Sequence, residues 1–228
     1  MSERDLGQRC EFHSHSIFSD GTLLPAALVR EAEVRGHAAL AITDHVDPSN
    51  LEEVLAGLTK FAREMRGKLP IKFIPGAEIS YIQPPYIKEY CLKARQRGAK
   101  LIIVHGESPV ESVYPGTNHA AVKEAGLVDI LAHPGDLVEE DAILAAKNEV
   151  FLELTARRGH RDGNHHVAEM ARRYGARLIV DTDCHDETDL ITQEQAFIIC
   201  KEAGLSDEEA LVVIRDNPRI LLKRSERQ

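Results

Sequence analysis

Residues 10–21, CEFHSHSIFSDG, place two histidines one residue apart behind a short apolar run and follow them with an aspartate. If Cys10–Phe12 is strand, the two-residue period turns His13 and His15 to one face and Ser14 to the other. The same device recurs along the chain. Aliphatic and β-branched runs stop at polar residues: AALAIT before Asp44 and His45, IKFIPGAEI around Glu78, KLIIV before His105, VDILA before His133, VFLEL before Thr155, and RLIVD before Thr182 and Asp183. Between these seven predicted strands lie segments of helical period, PAALVREAEVRG, LEEVLAGLTKFAREMRG, YIKEYCLKARQRG, HAAVKEAG and HHVAEMARRYG, each ending in glycine, a frequent helix terminator. The strand ends recur roughly every 22 to 33 residues, the length of one βα unit. Seven units in succession predict an α/β barrel or a doubly wound parallel sheet. No Gly-rich phosphate loop follows any of the strands, which weighs against a nucleotide-binding sheet.

The chain has 228 residues, 43% of them hydrophobic, enough for one sizeable core, so one domain over 1–228 is expected. After DTDCH come two more helices, ITQEQAFIICKEAG and SDEEALVVIRDN, the second opened by a Ser206/Glu209 capping box. Residues 193–228 are read as C-terminal helices packing on the barrel, with NPRILLKRSERQ closing the chain as a frayed basic tail. The N-terminal MSERDLGQRC is charged, and no apolar run approaches the ~20 residues of a membrane span, so a soluble, cytoplasmic protein is expected. Cys10, Cys91, Cys184 and Cys200 are far apart and read as reduced, buried residues. A net charge of −9 argues against an extended nucleic-acid or anionic-membrane surface but allows one small anionic substrate.

Eleven histidines against five tyrosines and no tryptophan make the placement of histidine the main question. On the barrel frame His13, His15, His45, His105, His133 and His185, with Asp20, Glu78 and Asp183, all fall at one rim, the C-terminal ends of the strands. Active sites of parallel barrels are built there, because converging loops are held by rigid strands. Imidazole and carboxylate without paired thiolates suit zinc, manganese or iron. Asp183 and His185 repeat the two-residue spacing of His13 and His15, with Cys184 facing away. Glu78 is a carboxylate in an apolar strand, where an unpaired charge would cost several kcal/mol, and metal ions sharing it would remove that cost.

Taken together, HSH with Asp20-Gly21, Thr43-Asp44-His45, Gly76-Ala77-Glu78, His105-Gly106, Ala132-His133-Pro134 and DTDCH resemble the motif series of the polymerase and histidinol phosphatase (PHP) superfamily. The resemblance runs from about residue 10 to the closing NPRILL. It implies a distorted (β/α)7 barrel, two to three divalent transition ions, and in many members phosphoester hydrolysis. It further implies that His13, His15, Glu78 and Asp183 hold one ion, that Glu78, His105 and His133 hold a second with Glu78 bridging, and that Asp20, His45 and His185 hold a third. Asp20 stands where relatives often carry histidine. Asp44 is expected to orient His45 or a backbone turn.

Three divalent ions against three carboxylates leave the site about +3, suited to a phosphate monoester dianion. Metal coordination lowers the pKa of water towards roughly 7, so a metal-bridging hydroxide is the expected nucleophile on a small phosphomonoester, histidinol phosphate among the options. No protein nucleophile is needed, and Asp20 and His185 are the side chains to test if a protein base acts instead. After the sixth strand, TARRGHRDGNHH leads into a helix near Asn164, and Arg158, His160 and Arg161 are the expected anion contacts there. Arg161 leads, because similar family members often place a phosphate-binding arginine in this loop. The loop GESPVESVYPGTNH is expected to cap the site, with Tyr114 and His119 structural, and His37 is read as a helix C-terminal residue. Two other readings are an amidohydrolase-type enzyme acting on a C–N or C–O bond, for which no strand-end lysine is found, and a non-catalytic PHP module.

Overall fold

The computed structural model describes residues 5–228; Met1–Arg4 of the charged N-terminal stretch lie outside them. Its strands are β1 (Arg9–Glu11), β2 (His37–Ile42), β3 (His45–Val46), β4 (Lys72–Ile79), β5 (Leu101–His105), β6 (Ile130–Ala132), β7 (Phe151–Thr155) and β8 (Leu178–Asp181). They pair in parallel in the order β1-β2-β4-β5-β6-β7-β8, and β3 also pairs with β4. β3 continues β2 along β4, since Ile42 sits opposite Pro75 and His45 opposite Glu78 in one unbroken register. The architecture is therefore the expected seven-stranded parallel barrel, nearly closed, with its second strand interrupted at Thr43 and Asp44.

Alternation in the strands sorts the core into two layers. Ala39, Ala41, Ile74, Leu101, Ile103, Ile130, Phe151 and Ile179 fill the barrel, while Leu40, Ile42, Ala77, Ile102, Val104, Leu131, Leu152 and Val180 face the helices outside. Both faces of each strand are covered, which is why the strands read as continuous apolar runs.

The gap between β1 and β8 is bridged mostly by side chains. Asp181 accepts the Phe12 N–H at 2.8 Å, Glu11 accepts the Thr182 N–H at 2.9 Å, and the buried Arg9 guanidinium reaches the Val180 carbonyl and Glu11. Backbone pairing resumes only above this seam, where the His15 N–H donates to the Cys184 carbonyl at 2.8 Å.

The surrounding helices are α1 (Pro25–Val34), α2 (Leu51–Glu64), α3 (Ile87–Gln96), α4 (Thr117–Val122), α5 (Glu139–Asn148), α6 (Asn164–Tyr174), α7 (Gln193–Glu202), α8 (Asp207–Leu211) and α9 (Asn217–Arg227). The Ser206/Glu209 capping box opens α8 as read from the sequence. Three features differ from the sequence reading. Helix α5 has no counterpart in it, because EEDAILAAKN buries only Asp141, Ala142 and Ala145 and carries a weak apolar stripe. The closing segment is a helix, α9, rather than a frayed tail: Leu221 is fully buried in the floor of the barrel with Phe151, and Arg224 lies 5.5 Å from the Phe151 ring. His37 opens β2, buried, with Nε2 2.8 Å from the Ile191 carbonyl oxygen. All four cysteines are unpaired and buried, and among the described residues no helix is long and apolar enough to cross a membrane.

Candidate metal centre

The nine singled-out side chains come from the C-terminal ends of six strands and meet over one end of the barrel. At the centre His13 Nε2 lies 3.3 Å from Glu78 Oε1 and 3.5 Å from Asp183 Oδ1, and His15 Nε2 lies 3.5 Å from Glu78 Oε2 and 3.0 Å from Asp183 Oδ1. On one side His105 Nδ1 is 3.0 Å from Glu78 Oε1, and His133 groups with His13 and Glu78. On the other, Asp20 Oδ2 stands 3.3 Å from His185 Nε2 and 3.8 Å from His45 Nε2, with His15 Nδ1 beside them. All nine side chains are thus brought to one place, but the second grouping named from the resemblance is divided, His133 lying with His13 and Glu78 and His105 with His45 and Glu78, while His15 faces both Asp183 and the Asp20 group. His45 also turns Nδ1 to Glu78 Oε2, at 2.6 Å.

Local structure explains the convergence. Gly21 lets the loop after β1 fold back, because a Cβ there would sit 2.2 Å from the His15 carbonyl oxygen. Asp44 ties the same loop down by accepting from the Ser16 N–H, the Ser16 hydroxyl and the Ser19 hydroxyl, which is the backbone-turn role expected of it. Gly106 follows His105 where a Cβ would meet the Ala132 carbonyl oxygen at 2.2 Å. His133 and Asp183 hold positive φ, 28° and 50°, a conformation that costs a non-glycine residue of order 1 kcal/mol and that concentrates at functional sites.

The donor set fits divalent cations. His13 Nε2, both ring nitrogens of His15 and of His133, Glu78 Oε2 and Asp183 Oδ1 are buried and face only other ligand side chains of the cluster, without a hydrogen bond to any group outside it. So many orphaned lone pairs aimed at one space are costly unless a ligand satisfies them. Electrostatics point the same way. Burial opposes the charge on His105, but Glu78 and Glu111 outweigh it and push the imidazole up to about 10. His13 is raised in the same manner by Glu153, Glu78 and Asp183 against the cost of burial. Burial and the neighbouring His45 push His15 down to about 4, and burial and His105 hold His133 well below the ordinary histidine value. The carboxylates therefore draw positive charge into the cluster, while His15 and His133 stay neutral, the form that binds metal. Burial works against the Asp20 carboxylate, but His185, His45 and His15 outweigh it and hold Asp20 below its usual range, which makes it a weak base.

Several side chains around the cluster escape sequence reasoning. Glu153, buried in β7, accepts from His13 Nδ1–H at 2.8 Å, which leaves Nε2 free to ligate. Its signal was present, a lone carboxylate in VFLEL at the same strand phase as other interior residues. Glu111, from the loop after β5, bridges His105 Nε2 (2.7 Å) and His160 Nε2 (3.3 Å), so that loop does lean over the site. His160 is buried against His133, ring centroids 4.3 Å apart, with Nδ1 3.1 Å from Ser108 Oγ. The two arginines expected beside it do not join the cluster. Arg161 pairs with Glu202 on α7, and Arg158 is exposed. Arg157 reaches the cluster instead, its Nε 3.2 Å from Asp183 Oδ2 and its Nη1 2.7 Å from His185 Nδ1. His119 is held by Asp141 at 2.8 Å and is structural.

Fold and cluster together define the class: a parallel α/β-barrel protein with a candidate metal centre at the C-terminal rim. Residues 11–185 match the PHP domain, and the chain belongs to that family. Uncharacterized protein MJ1295 of Methanocaldococcus jannaschii is 42% identical over 218 residues, covering 95% of this chain and 99% of the relative. The 5'-3' exoribonuclease Rnm of Escherichia coli is 36% identical over 83 residues, 36% of this chain and 26% of that protein. The structure of histidinol phosphate phosphatase from Lactococcus lactis, complexed with zinc, L-histidinol and phosphate, shares the fold with a TM-score of 0.63 at 17% identity over 87% of this chain and 95% of that one. An amidohydrolase structure shares it as well, with a TM-score of 0.62 at 13% identity over 96% of this chain and 75% of that one.

Proposed function

We propose that the protein is a metal-dependent phosphoesterase whose substrate is a small phosphorylated molecule. The observation that carries this reading is the set of buried, unpartnered imidazole and carboxylate atoms converging at the barrel rim beside Arg157. The histidinol phosphate phosphatase structure, with zinc and phosphate, and the partial match to an exoribonuclease support phosphorus chemistry.

His13, His15, Glu78 and Asp183 would hold one divalent ion, Glu78, His105 and His133 a second, and Asp20, His45 and His185 a third, with zinc, manganese and iron the suitable metals. When bound, such ions polarise phosphoryl oxygens and supply a nucleophilic water at neutral pH. Counting Glu111 and Glu153 against Arg157, the fully loaded site carries about +2, which still suits a dianion. His185 Nδ1 lies 2.8 Å from the Asp183 carbonyl oxygen and 2.7 Å from Arg157 Nη1, which itself donates to that carbonyl at 2.9 Å. These contacts anchor Arg157 at the edge of the metal centre, where its guanidinium meets a phosphoryl oxygen of the substrate. His160, held between Ser108 and Glu111, stands on the opposite side and delivers a proton to the leaving alcohol. The cluster's charge disfavours a neutral C–N or C–O substrate as the amidohydrolase reading requires, and a non-catalytic module would have no use for so many unpartnered ligands.

The test is elemental analysis of protein from metal-replete growth, followed by a screen of the loaded protein against phosphomonoesters, phosphodiesters and amides. Two to three transition ions per chain and turnover of phosphoesters are expected. Fewer than one ion, or turnover of amides alone, would sink the reading. Glu78→Gln should release more metal than any single histidine substitution, since that residue serves two ions.

A further inference from the structure

Four of the chain's five tyrosines line one cleft beside the metal centre. Tyr81, Tyr86, Tyr90 and Tyr114 wall a space of about 470 Å³ between the segments that follow β3, β4 and β5 and the start of α3. Tyr81 is the shared wall. Its ring centroid lies 5.3 Å from that of His105, and its hydroxyl donates to Glu111, which also touches His105.

The cleft is preformed. Tyr81 holds a positive φ of 55°, which for a bulky residue needs compensation elsewhere, and Pro84 and Pro85 stiffen the turn that presents Tyr86. Tyr81, Tyr86 and Tyr114 are about half exposed, an unfavourable place for three aromatic rings unless something covers them. The charged residues of the lining are Asp47 and Glu89, with Gln83 the neutral polar residue beside them; Glu89 pairs with Lys93 at 2.7 Å, and Lys93 lies 4.5 Å from the Tyr90 ring centroid. The lining itself holds no cation, so the charged end of a substrate belongs at the metal centre and the uncharged, planar end in the cleft.

Resting on the phosphoesterase reading above, we propose that the cleft is a nucleobase subsite and that the substrate is a nucleoside monophosphate. Its base stacks on the tyrosines while its phosphate sits at the metal centre and Arg157. Stacking on the rings supplies the affinity, and Gln83, which can both donate and accept, leaves the cleft open to any of the bases. The acidic walls and the net charge of −9 limit the ligand to a single nucleotide or a terminal one, since a longer backbone would run along repelling surface.

Two measurements on the zinc-loaded protein test this. The chain has no tryptophan, so its intrinsic emission comes from tyrosine, mostly from the cleft. Adenosine, which carries no phosphate, should quench that emission saturably, and Tyr86→Ala and Tyr114→Ala should each weaken its binding about 5- to 150-fold, the usual range for a stacked base. In turnover, adenosine monophosphate should be preferred to glycerol phosphate, with the same two variants reducing that preference by a similar factor. Absence of saturable quenching, or a preference for the ringless ester that the substitutions leave untouched, would overturn the subsite. If no phosphoester is hydrolysed at all, the phosphoesterase reading fails by itself, and adenosine quenching still decides the cleft.

Discussion

Arg157 and Arg161 lie four residues apart in one loop and have different surroundings. Arg157 faces Asp183 and His185, whereas Arg161 spends its charge on Glu202 at the outside of α7. Arg157→Ala should therefore raise KM for a phosphomonoester by roughly tenfold or more, the loss of a charge-assisted hydrogen bond, with metal content retained. Arg161→Ala should leave KM within about twofold, because an exposed ion pair contributes little. Steady-state kinetics with metal analysis on both variants check this, and the reverse ranking would return the role to Arg161. Glu153 acts one step further back, through the His13 ring. Glu153→Gln should lower zinc affinity about 10- to 100-fold without removing a ligand, measured by competition with a chelator. An unchanged affinity would leave Glu153 as core structure only.

At the scale of elements, strand ends do the positioning and the closing helix does the sealing. α9 carries Leu221 into the barrel floor among Cys10, Phe151 and Ile179, so this basic C-terminal segment is part of the core. Leu221→Ala should cost about 2 to 5 kcal/mol in a urea titration, the range for emptying a buried leucine site. A frayed tail would show no cost. The interruption of the second strand is equally purposeful. Ending β2 at Ile42 releases Asp44 to bind the loop after β1 and turns His45 inward, and pairing resumes at once in the same register.

For the whole molecule, pH acts through groups far from the metal centre as well as in it. Burial and the charge of Arg9 push His37 down to about 4, below the ~6.5 of an unfolded histidine. A depressed pKa means that the unfolded chain binds the proton first. The contribution of neutral His37 is therefore complete above about pH 6.5 and is lost as pH falls through 4, worth about 3 kcal/mol over that window. His37→Gln keeps a donor for the Ile191 carbonyl and removes the titration. In chelator, where the metal ligands titrate alike in both proteins, the variant's stability should fall less steeply between pH 6.5 and 4. Parallel curves would show that His37 does not carry the linkage.

The motif resemblance chose the barrel over a doubly wound sheet, and the sequence by itself determined the seven strands and the rim at which nine polar side chains stop. Each of these is written in local periods: apolar runs of strand length, glycine after each helical segment, and HSH and DTDCH with their two-residue spacing. Such signals survive because a strand buried on both faces tolerates polar residues only at its ends. Which residues meet across the fold had no local signal. Glu153 meets His13 from 140 positions away, Glu111 reaches back from a loop to His105 and His160, and α9 looked like a polar tail because only a few of its side chains are buried. The choice between Arg157 and Arg161 turned on which side of a short helical turn faced the barrel mouth, and the four tyrosines became one cleft only when three loops closed around it. Those arrangements depend on packing between distant elements, so the tertiary structure alone decided them.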